Sequence, residues 1–147
     1  MSIVLKICLS TNSGSIMQEV NEVSLFKNRG ILDDRYYSED NDSDIQLTLI
    51  EKENIDFYNQ ITNSDIPYID FRRNIITEGI KLNDLVNKDF FVGDVKVRGH
   101  RLCDPCKYLQ DKLNQPNLVK NLVNRGGLRC EILSDGKISI KDKIKTI

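Results

Sequence analysis

The stretch Gly93–Leu109, GDVKVRGHRLCDPCKYL, constrains this chain more than any other. Asp94 to Arg98 reads as a strand and Lys107 to Leu113 as a helix. The change of period forces a strand-to-helix turn. That turn holds the only histidine, His100, and two of the four cysteines, Cys103 and Cys106. Backbone donors and a helix N-terminus lower a thiol pKa at such a turn, so chemistry is expected there.

The flanking sequence sets the fold class. Ile3–Ser10 is rich in β-branched residues and reads as a strand, with Cys8 as a small buried hydrophobe. Thr11–Gly14 is turn chemistry, and Val20–Phe26 alternates as a half-buried strand does. Lys27–Asp44 is a polar loop. Its acid run Glu39–Asp44 reads as solvated, whereas Asp33-Asp34-Arg35-Tyr36 mixes charge with aromatics and is a candidate to fold over a site. Gln46–Ile50 is a short buried strand, and Glu51–Ile61 has helical spacing at Ile55, Tyr58 and Ile61. Tyr68–Thr77 reads as a strand carrying Arg72-Arg73, and Leu82–Val86 as one helical turn.

Asp89–Val92 and Asp94–Arg98 turn about Gly93 as a bent strand pair. Pro105–Leu113 and Asn117–Val123 fit two short helices, the second closed by glycines at Arg125-Gly126-Gly127 suited to a left-handed cap. Leu128–Leu133 and Lys137–Ile140 are expected to form a hairpin about Ser134-Asp135-Gly136. Strands outnumber helices. The expectation is a single domain over residues 1–147, mainly β with α insertions (α+β), as a curled sheet or small barrel.

Charge excludes some partners. The net charge is −1, with charged residues spread over 29% of the chain, so neither nucleic acid nor an anionic membrane surface is expected. MSIVLKICLS lacks the long apolar region of a signal peptide, and no apolar run is long enough to span a bilayer. A cytoplasmic location with reduced thiols follows as an expectation.

Three chemistries fit Cys103-Asp104-Pro105-Cys106. It can be a dithiol redox pair, although no thioredoxin-type βαβ unit precedes it. It can supply half of a zinc site with His100 and Cys130, although a second knuckle is lacking. Or one thiolate can be the single protein ligand of a soft metal whose other ligands belong to a cofactor. Arg72, Arg73 and Asn74 offer donors for a phosphate or carboxylate, and Arg98, Arg101 and Lys107 put positive charge around the cysteines. A basic doublet such as Arg72-Arg73 more commonly turns alternate side chains to solvent, and Arg98, Arg101 and Lys107 are readable as a solvated basic patch.

An ordered set of motifs resembles the MOSC domain, the family named after the C-terminal domain of molybdenum cofactor sulfurase. FRRNIITEG (Phe71–Gly79) is similar to its Arg-x-Asn-hydrophobic-hydrophobic-x-x-Gly segment, and FFVGDVKV (Phe90–Val97) to its Ile-Gly-Asp strand entry. RLCDPCKYL (Arg101–Leu109) resembles the cysteine motif of small bacterial members. LDDRYY (Leu32–Tyr37), LTLIEKENI (Leu47–Ile55) and RGGLRCEILSDGKISIKDKI (Arg125–Ile144) resemble its early loop, strand-helix and closing segment. Two glycines of the family pattern are replaced here, by Asp33 and by Lys141; both glycines serve tight turns.

The resemblance implies a MOSC-type curled β-barrel that binds molybdenum cofactor, a Mo-bearing molybdopterin. Cys106 matches the cysteine that completes Mo coordination in reductase members, which makes it the implied catalytic residue and metal ligand. Arg72, Arg73, Asn74, Arg101 and Cys103 are the implied cofactor-binding residues. The implied function is reduction of N-hydroxylated compounds with an external electron donor. The alternative is a carrier of the cofactor, or of sulfur as a persulfide on Cys106, for a molybdoenzyme acceptor. In the family's sulfurases this domain is joined to a pyridoxal-phosphate-dependent desulfurase, so at this length pyridoxal phosphate is expected only through a separate partner protein.

Overall fold

The computed structural model describes residues 1–12, 14–104 and 106–147. Among the described residues eleven strands dominate: β1 (Ile3–Leu9), β2 (Gln18–Val20), β3 (Glu22–Phe26), β4 (Gly30–Ile31), β5 (Leu47–Glu51), β6 (Ile75–Glu78), β7 (Asp89–Val92), β8 (Val95–Leu102), β9 (Leu128–Ile132), β10 (Gly136–Ser139) and β11 (Ile144–Thr146). The helices are α1 (Lys52–Thr62), α2 (Lys107–Lys112) and α3 (Leu118–Asn121), with single 3₁₀ turns at Tyr68–Phe71 and Leu82–Leu85. Among the described residues no helix is long and apolar enough to cross a membrane.

The main sheet has eight strands in the order β11-β7-β8-β9-β5-β6-β1-β2, and β10-β3-β4 form a second sheet. The large sheet is curled. Its β1 and β11 lie far apart in the strand order, yet Ile144 N–H donates to Ser2 C=O at 2.9 Å and Ile3 bridges Lys143. A flat sheet of this width would keep those segments apart; right-handed twist brings them together.

Two apolar clusters show why the curl is stable. Leu47, Leu49, Ile75, Val95, Val97, Leu128 and Ile132 fill the inside of the curl. Their neighbours Ile50 and Ile76 point the other way, to a second cluster with Ile55, Tyr58, Phe71, Leu109, Leu118 and Leu122 beneath the helices. Alternation along β5 and β6 therefore serves both layers. In β1 the inward Val4 and Ile7 are brought to one face by a register shift between Val4 and Lys6, which leaves Cys8 for the outer cluster.

Three local expectations need correction. Tyr68–Thr77 is not one strand: Tyr68–Phe71 forms a 3₁₀ turn, Arg72 takes a left-handed φ of 62°, and β6 starts only at Ile75. Phe71 is buried edge-on against Tyr58, and that burial turns the chain where an extended run would expose the ring. Nor do β9 and β10 pair as a hairpin. β9 lies between β5 and β8, while β10 crosses to β3 in the other sheet. The glycines after α3 do not cap it. Asn124 takes the left-handed turn, and Gly127 sits where an added Cβ would strike the Leu49 carbonyl.

Asp33 and Lys141, which stand at glycine positions of the family pattern, both adopt φ of 72°. The tight turns are kept without glycine, at a steric cost that side chains tolerate only when neighbours hold the backbone. The expected turn at Thr11–Gly14 and helix from Pro105 include Ser13 and Pro105, which lie outside the described residues.

Candidate functional site

Cys106 begins α2. Its backbone is extended (φ −114°, ψ 152°), and its Sγ accepts a hydrogen bond from the Leu109 N–H at 3.4 Å, as an N-cap side chain does. Of the four cysteines it alone is exposed; Cys8, Cys103 and Cys130 are buried. It opens into a pocket of about 320 Å³ whose wall includes Arg35, Tyr36, Arg72, Arg73, Tyr108 and Leu109.

Each arginine is fixed by backbone carbonyls. Arg72 Nη1 donates to Ser15 C=O at 2.6 Å, Arg73 Nε to Gly126 C=O at 2.9 Å, and Arg35 Nη2 to Arg72 C=O at 3.2 Å. A guanidinium has five N–H donors, so each keeps donors beyond those bonds. Arg35 is steered further by buried Asp34, whose carboxylate also accepts from the Ser10 and Tyr36 amides. Among the described residues every charged group lining the pocket is an arginine, which makes it a site for an anion beside a soft sulfur donor.

The other implied site residues lie around this pocket rather than in its wall. Asn74 is buried: its Oδ1 accepts from the Thr48 N–H and hydroxyl, and its Nδ2 donates to Cys8 C=O. It ties β5 to β1 directly below the arginine turn. Arg101 pairs with Asp44 at 2.9 Å, and Arg98 pairs with Asp89 at 2.6 Å. Cys103 is 1% exposed, with its N–H bonded to Gly127 C=O at 2.7 Å.

Burial raises the Cys103 thiol pKa, although Arg73, Arg129 and Arg101 pull the other way. That corrects the expectation of a lowered pKa for this member of the pair. Burial also pushes Cys8 up to about 12, in line with a buried hydrophobe. His100 Nε2 lies 2.8 Å from a Glu131 carboxylate oxygen across β8 and β9. Among the described residues no three His, Cys, Asp or Glu side chains gather to hold a metal, so the zinc grouping with His100 and Cys130 is not assembled.

Sequence reasoning left Arg35, Tyr36 and Tyr108 out of the site. The mixed charge and aromatics of Asp33–Tyr36 signalled the first two, but nothing local to Tyr108 marked it. A larger groove of about 760 Å³ runs past Lys88, Asp89 and Arg98 to the C-terminus, and among the described residues no cysteine or histidine lines it.

Comparison with known proteins identifies the family and the fold. The MOSC domain family model matches residues 34–145 of the 147. No curated protein matches the sequence. The fold is similar to YiiM from Geobacillus stearothermophilus (TM-score 0.81, 14% identity, covering 100% of this chain and 75% of that one). It is similar also to the YUAD protein from Bacillus subtilis (TM-score 0.80, 14% identity, 98% and 94% covered) and to YiiM from Escherichia coli (TM-score 0.73, 16% identity, 100% and 70%). At these identities the likeness is one of fold. The chain belongs to the MOSC domain family.

Proposed function

We propose that this MOSC-domain protein binds a molybdenum cofactor in the Cys106 pocket and reduces N-hydroxylated compounds there. The observation that carries the reading is the placement of the one exposed cysteine in a pocket whose charged wall, among the described residues, is entirely arginine. The residues fit the group. A thiolate is a soft ligand suited to a metal already held by sulfur. Guanidiniums match a phosphate's oxygens in a planar fork. Tyr36 and Tyr108 offer aromatic surface to a flat ring system.

In this reading Cys106 holds the metal, and Arg35, Arg72 and Arg73 hold the anionic end of the cofactor. Asn74 keeps the arginine turn in register from below. When bound, the cofactor supplies two-electron redox chemistry, with electrons delivered by a separate donor protein. Pocket residues then bind and orient the substrate at the open side, where Tyr108 is exposed.

The test is metal analysis of the chain expressed in a cofactor-competent host. About one Mo per chain and a fluorescent pterin after oxidation are expected, with turnover of an N-hydroxylated base by the loaded protein. Zinc without Mo would overturn the reading. A carrier role is favoured by the exposure of Cys106, because a reachable thiolate can take the outer sulfur of a donor protein's persulfide, with the donor's thiolate as leaving group, and pass it to an acceptor thiolate in the same way. A persulfide on Cys106 without substrate turnover would select that reading.

A further inference from the structure

A further cleft, of about 440 Å³, lies where the end of β5, the first turn of α1, the Leu82–Leu85 turn and the α3–β9 connection meet. Glu51, Lys81, Asp84 and Arg125 all line it. None of these four charged side chains makes an ion pair among the described residues. Opposite charges that share a cleft without touching leave a gap of their own complement between them.

Glu51 is the sharpest feature of the cleft. Its side chain ends β5 at 9% exposure, and its Oε1 is buried with no hydrogen-bond partner among the described residues. The Leu82 amide and Asn54 support the carboxylate, but Oε1 itself has no partner and carries a desolvation cost, which a cation in the cleft offsets through the charge of the group rather than by touching that oxygen. Arg125 faces the same space. Its guanidinium stacks on the Phe57 ring at 4.0 Å and gives Nη1 to Asn54 Oδ1 at 3.1 Å, which fixes the group and leaves other donors for an anion. Asn83 Nδ2 donates to Asn124 C=O at 2.9 Å and closes the wall between the two segments.

We propose that this cleft is a binding site for a small zwitterion of the α-amino acid class, with its ammonium on Glu51 and its carboxylate on Arg125 and Lys81. The site is separate from the Cys106 pocket and shares no lining residue with it among the described residues. It does not depend on the cofactor reading.

Proton linkage follows from the surroundings of Glu51. Burial and then the neighbouring Glu53 carboxylate raise its pKa to about 7, while the Leu82 amide, Asn54 and Arg125 favour the charged form. Asp84, in the Leu82–Leu85 turn, and Lys81, just before it, line the same cleft. An ammonium needs the ionised carboxylate, so binding tightens as pH rises through about 7 and weakens below it.

The experiment is titration of the full chain with each of the twenty free amino acids, read by calorimetry and by backbone amide shifts. Ethylamine and acetate serve as single-charge controls. At least one amino acid is expected to saturate, with shifts centred on Asn54, Asn83 and Asn124, and both controls to bind at least about tenfold more weakly, the scale of one charge-assisted hydrogen bond. Glu51→Gln and Arg125→Gln should each weaken binding about tenfold by the same estimate, and Cys106→Ser should leave it unchanged. No saturable binding by any amino acid overturns the proposal. So does binding that survives both variants, shifts that map to the Cys106 pocket, or a control that binds as tightly. If Glu51→Gln fails to fold, the part-exposed Arg125→Gln and the shift map of the unaltered protein still decide.

Discussion

Cys103 and Cys106 share a motif between β8 and α2, yet the fold treats them as different chemical groups. Cys103 follows β8 directly, hangs from Gly127 by its backbone, and is packed to 1% exposure. Cys106 caps α2 and opens into the arginine pocket. Burial raises the pKa of Cys103 despite three nearby arginines, so nearby positive charge alone does not make a reactive thiol there. Access decides. The C-x-x-C spacing suggests a symmetrical dithiol, and the packing makes the pair asymmetric.

The comparison breaks most readily on reactivity. Iodoacetamide should modify the native chain once, at Cys106, with Cys8, Cys103 and Cys130 reacting on the order of a thousandfold more slowly, through opening of the fold. Peptide mass mapping reads this, and comparable labelling of Cys103 in the native state would contradict the asymmetry. Under the proposed cofactor reading, metal content is the next largest difference: Cys106→Ser should lower bound Mo on the order of a hundredfold or more, and Cys103→Ser, as a supporting residue, only about tenfold.

Stability should show the reverse order. Gly127→Ala places a Cβ against the Leu49 carbonyl at φ +104°, beneath the segment that holds Cys103. It should cost about 3 kcal/mol, measured as a lower urea midpoint with an unchanged slope. Cys103→Ala should cost about 1–2 kcal/mol from the small cavity it leaves. Cys106→Ser should fall within about 0.5 kcal/mol of the unaltered chain, since the side chain is exposed. A Cys106→Ser loss as large as that of Cys103→Ala would mean that the thiol holds up the helix rather than serving the pocket.

The motifs that carry the family resemblance named Arg72, Arg73 and Cys106, which the fold brings into one wall although they are far apart in sequence. They also marked the Asp33–Tyr36 loop, whose Arg35 and Tyr36 complete that wall. Tyr108 was not legible, because an exposed tyrosine on a short helix looks like any surface aromatic until the pocket exists. Arg98 and Arg101 were read as charge around the cysteines, and ion pairs with Asp89 and Asp44 occupy them instead. Those partners are distant in sequence or lie across a strand pair, where local pattern carries no information.

By itself, the sequence determined many of the short strands, a helix close to the expected Glu51–Ile61, the passage from strand to helix around the cysteines and the family. These depend on periodicity and on residue types that act within a few positions. In contrast, β4 inside the expected Lys27–Asp44 loop and β11 were not legible. Tertiary structure decided that Tyr68–Phe71 turns, that β9 and β10 part company, and that Glu51 and Arg125 face one cleft unpaired. The reason is common to all three. Burial of a ring, the choice of a strand's neighbour and the meeting of two charges are set by segments far away in the chain, and the curl of the sheet is what brings those segments together.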